Sequence, residues 1–147
     1  MSDKVTPFLM FASGAQEAAE FYVSVFEDGK ILPGGPGVTF EVGGQVIRAF
    51  DGGPHFKFSE GFSLFIDCDT QEQVDHYWVR LREGGGEESQ CGWLKDRFGV
   101  SWQVVPKALG RLLGDPDPAR SKRALHAMLK MRKLDIAALE AAADGRG

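Results

Sequence analysis

Two cysteines, three histidines and no long apolar run set the first limits on this chain. Two thiols are too few for a disulfide framework, so a cytoplasmic protein with reduced cysteines is expected. No stretch approaches the roughly 20 consecutive apolar residues that cross a bilayer, and no membrane partner is expected. The opening MSDKVTPFLMF lacks the basic start and the cleavage site of a secretory leader. None of His55, His76 and His126 is adjacent to another in sequence.

What is present suits one domain. The 147 residues are 43% hydrophobic and 26% charged, enough to bury a core without staples. Charge is uneven. Residues 1–106 hold 8 Lys and Arg against 16 Asp and Glu, and residues 107–147 hold 9 against 5. A basic tail on an acidic body reads as a tail packed on that body or on a partner's. It carries no aromatics to stack on bases, so no nucleic-acid partner is expected.

The chain repeats itself. Set 8-FLMFASGAQEAAEFYVSVFEDG-29 above 63-SLFIDCDTQEQVDHYWVRLREG-84, and Leu9, Gln16, Glu17, Tyr22 and Gly29 meet Leu64, Gln71, Glu72, Tyr77 and Gly84 at an offset of 55. Each segment reads as a strand and then a helix, with Ala18, Tyr22 and Val25 in one helix and Val74, Trp78 and Leu81 in the other at helical spacing. Gly43-Gly44 marks a hairpin between 37-GVTFEV-42 and 45-QVIRAF-50, and Asp96 to Gly99 is the matching turn. The order is strand, helix, strands, then the same again: an α+β fold with a helix on one face of each sheet. After Pro106 a helical tail follows. Residues 107-KALGRLLG-114 form a short helix or turn, Asp117 caps a helix with Pro118 at its first position, and Asp135 caps a last one through Ile136 and Leu139. The final DGRG is expected to fray.

This repeat, with 51-DGGPHFKFSE-60 and 85-GGEESQCGWLKDRFGVSWQVVP-106, resembles the PhnB-like branch of the vicinal oxygen chelate superfamily. That superfamily includes glyoxalase I, bleomycin-resistance proteins and extradiol dioxygenases. The tail's DPDP, MLKM and LDIAALE are similar to the branch's C-terminal extension. The resemblance implies two βαβββ modules, about 4–53 and 61–106, whose sheets curl into a cup. It also implies a homodimer and a helical extension over 107–147 packed on the domain or on the dimer partner. The segment 30-KILPGGPG-37 is shorter than the branch usually carries, so the second strand of the first module is expected to be lost or vestigial. Members are often labelled 3-demethylubiquinone methyltransferases. No glycine-rich loop follows a strand and opens a helix with an acidic residue beyond, as S-adenosylmethionine would need.

Enzymes of the superfamily place a divalent metal in the cup, held by His, Gln or Glu from the first and last strands of each module. The resemblance puts those positions at Pro7 or Phe8, at Phe62 or Ser63, and at Arg48 and Gln103. Proline and phenylalanine offer no ligand, serine is a poor one and arginine is a fixed cation; only Gln103 could coordinate, so no metal and no other cofactor is expected. An arginine there suits a carboxylate or phosphate instead, the alternatives being that Arg48 lies at an edge and points to water, or that Asp51 neutralises it.

The site expected on this reading is an apolar cup lined by Phe8, Met10, Phe50 and Phe65, with Arg48 and Gln103 as polar anchors, Ser63 beside them, and Gly92 leaving space. Asp51, His55 and Phe56 form a loop at its mouth. Pairing the last hairpin around a turn at Asp96–Gly99 sets Trp93 opposite Trp102 and Cys91 opposite Val104. Both tryptophans and Cys91 then face the helix, while Gly92 and Gln103 share the cup face. Cys68 reads as core, and Glu87-Glu88 as a solvated loop. The function expected is small-molecule binding. Two alternatives stand beside it: a metal-dependent enzyme, or one acting through Cys91 or His55, and a protein-interaction module built on the tail and sheet edges.

Overall fold

The computed structural model describes residues 5–146. Lys4, where the first module was expected to begin, and Gly147 of the terminal DGRG lie outside them. The chain forms two compact units that divide between Ser59 and Glu60.

In the first unit the order is β1 (Phe8–Phe11), α1 (Ala15–Val25), β2 (Lys30–Leu32), β3 (Val38–Val42) and β4 (Gln45–Asp51). The sheet runs β1-β4-β3-β2. β1 lies parallel to β4, and the other pairs are antiparallel. Alternation along the strands sends Leu9, Phe40, Ile47 and Ala49 into the core with Ala18, Tyr22 and Val25 of α1. The second strand is not lost: Lys30–Leu32 pairs with Thr39–Glu41. Three residues suffice, because an edge strand needs hydrogen bonds on one side only.

In the second unit β5 (Leu64–Cys68), α2 (Gln71–Leu81), β6 (Glu87–Glu88), β7 (Trp93–Lys95) and β8 (Ser101–Pro106) repeat the pattern. The sheet is β5-β8-β7-β6, again with its first and last strands parallel. α2 starts at Thr70, whose hydroxyl accepts from Gln73 N while the Gln73 side chain accepts from Asp69 N. This is a variant of the capping box that a T-x-x-Q spacing encodes, with the glutamine reaching one residue before the cap.

The offset of the repeat drifts. Buried helix positions correspond as Ala18 to Val74, Tyr22 to Trp78 and Val25 to Leu81, a shift of 56 rather than 55. In the parallel pairs Phe8 lies beside Arg48 and Phe65 beside Gln103. The first strands are therefore matched by a shift of 57 and the last strands by 55. The turn before α1 is one residue longer than the turn before α2, which moves the register once. A second one-residue difference falls between helix and last strand.

The helices after Pro106 belong to the second unit. α3 (Lys107–Leu113), α4 (Pro118–Leu129) and α5 (Ile136–Ala143) close a core of Val105, Leu109, Leu112, Ala124, Leu134, Leu139 and Ala143. Asp117 and Asp135 cap α4 and α5 as expected. The Gln71 side chain ties α2 to the link before α5, donating to Leu134 O at 3.0 Å and accepting from Ile136 N at 2.7 Å. No helix among the described residues is long and apolar enough to cross a membrane.

Candidate functional site on the helix-free sheet faces

In the first unit, the face turned away from α1 carries Phe8 and Met10 from β1, Arg48 and Phe50 from β4, and Thr39 from β3. One lateral row reads Phe8, Arg48, Thr39. Arg48 is exposed, and its guanidinium makes no hydrogen bond or ion pair with any described residue. Phe8 is 47% exposed and Phe50 37%. Asp51 does not neutralise Arg48. Its carboxylate accepts from Ala15 N at 2.8 Å and caps α1, whose own N-cap, Gly14, has no side chain to do so. A cleft of about 190 Å³ lies there, lined by Ala15, Gln16, Gly37, Val38, Phe50 and Asp51.

The expected mouth loop divides. Met10 and the Phe56 ring both close over Gly52, where a Cβ would collide with the Met10 thioether and stand 3.2 Å from the ring. His55 is exposed beside them and is bonded to no described residue.

In the second unit, the matching row is Phe65, Gln103, Trp93. Gln103 donates its amide to the Ser63 hydroxyl at 2.9 Å, so these two expected residues do meet. The expected hairpin register is corrected by one residue: Leu94, not Trp93, faces Trp102. The turn is the cause. Asp96 N bonds Val100 O, leaving a three-residue loop that ends at Gly99 with φ +92°. The Asp96 carboxylate holds that loop, accepting from Phe98 N, Val100 N and the Trp102 indole.

A one-residue slip exchanges faces. Trp93 leaves the core for Gln103's face, and Leu94 takes its place. Gly92 is likewise corrected. It bonds to Val104, and a Cβ there would sit 2.9 Å from Leu134, so it makes room for the tail rather than for a ligand on Gln103's face. Cys91 is half-buried in a left-handed turn (φ 59°) whose N–H bonds Met131 O, not in the strand core.

Cys68 is fully buried as expected. Burial first, then Asp67 and Asp69, push its thiol up to about 12, which makes it inert at neutral pH. Glu87 and Glu88 are exposed as expected, but they form the strand β6 rather than a loop. Glu88 accepts the Trp78 indole N–H at 2.8 Å and faces Arg82 and Arg132. The Trp78 hydrogen bond, helped by both arginines, holds its carboxyl below the ordinary range.

The superfamily's divalent metal does not fit the residues at its positions. Arg48 is a permanent cation with Phe8 beside it, and Gln103, a neutral amide between two rings that bonds Ser63 through its N–H, offers a metal only its Oε1, too little to hold an ion alone. Among the described residues no three of His, Cys, Asp and Glu come together to hold a metal. S-adenosylmethionine fares no better. α1 opens on an N-terminus already capped by Asp51, α2 on one capped by Thr70, and each sheet has one parallel pair rather than a doubly wound set.

Comparison with known proteins agrees with the architecture. The model of a family described as 3-demethylubiquinone-9 3-methyltransferase matches residues 3–34 and 36–105. No curated protein matches the chain. The structure of the PhnB protein from Bacillus cereus is 32% identical, covering 71% of this chain and 99% of that one with a TM-score of 0.63. Protein PA1353 from Pseudomonas aeruginosa is 21% identical over 71% of this chain and 98% of its own, with a TM-score of 0.59, and shares the fold. With its two βαβββ units and these matches, the chain belongs to the PhnB-like branch of the vicinal oxygen chelate superfamily, the family described as 3-demethylubiquinone-9 3-methyltransferase.

Proposed function

We propose that the protein binds a small organic anion with an apolar body, and that Arg48 is the anchor. The observation that carries this reading is an arginine on a helix-free sheet face, with Phe8 alongside and no acid among the described residues paired to it. A guanidinium offers a carboxylate or phosphate two parallel donors. Phe8, Met10 and Phe50 supply apolar surface for the rest of the ligand. The homodimer, which rests on the family resemblance, and the cytoplasmic setting, which rests on two thiols too few for a disulfide framework, belong to the same reading.

Calorimetric titration with benzoate and phenylphosphonate tests it. A charged hydrogen bond contributes about 1.5–3 kcal/mol, so Arg48→Ala should weaken binding by about 10- to 150-fold while leaving the fold intact. Unchanged affinity removes Arg48 from the site. Metal analysis after exposure to zinc, nickel, manganese and iron(II) tests the metal-free part. A near-stoichiometric retained metal overturns it in favour of a metal-dependent enzyme.

A further inference from the structure

We infer that the second unit carries its own uncharged subsite, in which the row Phe65, Gln103, Trp93 receives a planar ring with a hydrogen-bond donor and acceptor on one edge, as in a lactam. This deepens the small-molecule reading, and it rests on different residues from the Arg48 anchor.

Three adjacent strands bring the row together. Phe65 of β5 and Trp93 of β7 flank Gln103 of β8 in direct register, on the face away from α2. Phe65 is 56% exposed, and Trp93 and Gln103 are half-buried. The first unit has arginine and threonine where this one has glutamine and tryptophan, so the second row is neutral and aromatic on both sides.

Hydrogen-bonding capacity narrows the chemistry. Gln103 spends an amide hydrogen on Ser63. That bond fixes the amide and leaves its Oε1 as an acceptor, with the Ser63 hydroxyl hydrogen free to donate. An acceptor beside a donor complements the N–H and C=O of a lactam. The indoles divide in the same way. Trp78 donates to Glu88 and Trp102 to Asp96, whereas the Trp93 N–H has no partner among the described residues.

Charge argues against an anion here. Lys95, two residues beyond Trp93, is held by Glu60 at 2.8 Å. Asp67, two residues beyond Phe65, is exposed, and its distant lysine, Lys107, bonds Asp69 more closely.

The test uses the full chain and two probes in parallel calorimetric titrations, quinolin-2-one as the lactam and benzoate as the anion. Quinolin-2-one should bind with a Kd of about 1 mM or below, as expected for a fragment of its size. Gln103→Leu should weaken it at least about tenfold, and Arg48→Ala should leave it within about twofold. In the ¹⁵N spectrum quinolin-2-one should move one indole N–H signal, the one absent from Trp93→Phe. No binding, full affinity in Gln103→Leu with its fold verified by circular dichroism, or movement of the Trp78 or Trp102 signal instead would overturn the inference. Benzoate reports separately on Arg48, so either site can fail while the other stands.

Discussion

Asp96 is the residue on which the second face depends. Its carboxylate is 3% exposed and accepts from Phe98 N at 2.9 Å, Val100 N at 3.0 Å and the Trp102 indole at 2.9 Å. Replacing it by alanine removes all three bonds and leaves the Val100 and Trp102 donors in a buried setting. Each stranded buried donor costs about 1–3 kcal/mol, and some relaxation is expected, so Asp96→Ala should lose about 3–5 kcal/mol. All three tryptophans lie in the second unit, so their fluorescence reports its unfolding alone. With a urea slope of about 2 kcal/mol/M the midpoint should fall by about 2 M. Asp96→Asn keeps one acceptor oxygen and should fall by about half as much. A shift below about 0.5 M for Asp96→Ala, roughly 1 kcal/mol on the same slope, would refute the claim that this carboxylate fixes the turn. The register that sends Trp93 to Gln103's face would then need another cause.

Three further outcomes follow from the second unit. Leu134 is fully buried against Gly92, so Leu134→Ala should cost about 2–5 kcal/mol in the same urea experiment. Deleting 115–147 uncovers Val105, Leu109 and Leu112 and should give an aggregating or dye-binding protein; a well-behaved truncated chain would show the tail to be dispensable. Native protein at pH 8 should react with a thiol reagent at one cysteine, Cys91, with Cys68 labelled only after denaturation. The fourth outcome concerns acid. Lys133 and then Gln71 depress the Asp75 carboxyl, and Trp78, Arg82 and Arg132 depress Glu88. Stabilisation from a depressed carboxyl is present above its unfolded pKa and is lost as pH falls through the folded one. Protection factors for hydrogen exchange in residues 130–136, corrected for the slower intrinsic exchange in acid, should therefore fall below about pH 4, and less steeply in Glu88→Gln.

The repeat, the helices and the caps at Asp117 and Asp135 were legible because each rests on local spacing. Apolar residues three and four apart mark a helix, and an aspartate before a helical run marks its start. Non-local partners were not legible. Asp51 looked like a mouth residue because its use as the cap for α1 lies 36 residues away. Glu88 is exposed as expected but looked unpartnered, because the indole it accepts from comes from the preceding helix. The hairpin register failed at a single residue. A two-residue and a three-residue turn both end at glycine, and only Asp96's three bonds separate them. That one step moved Trp93, Leu94, Gly92 and Cys91 together, which is why Phe65 and Gln103 could be placed from sequence while Trp93 could not.

On the proposed reading, the two rows offer a ligand a different chemistry from that of the superfamily's metal. A metal site needs several Lewis-basic donors converging on one point, and losing one of them weakens it. Here only Gln103 is of a ligand type the superfamily uses: the rows hold a ring and a guanidinium in one unit, a ring and an amide in the other. The guanidinium is positive where the metal would be positive, so an anionic group drawn to the metal would still be drawn to Arg48. The amide carries no charge and is oriented by Ser63, which suits recognition of direction rather than attraction of charge. The pairs therefore divide two tasks that one metal ion performs at once. A ligand that satisfies only one of them should lose affinity when that unit's polar residue is changed and be indifferent to the other, which makes the double variant Arg48→Ala/Gln103→Leu additive for benzoate and quinolin-2-one alike.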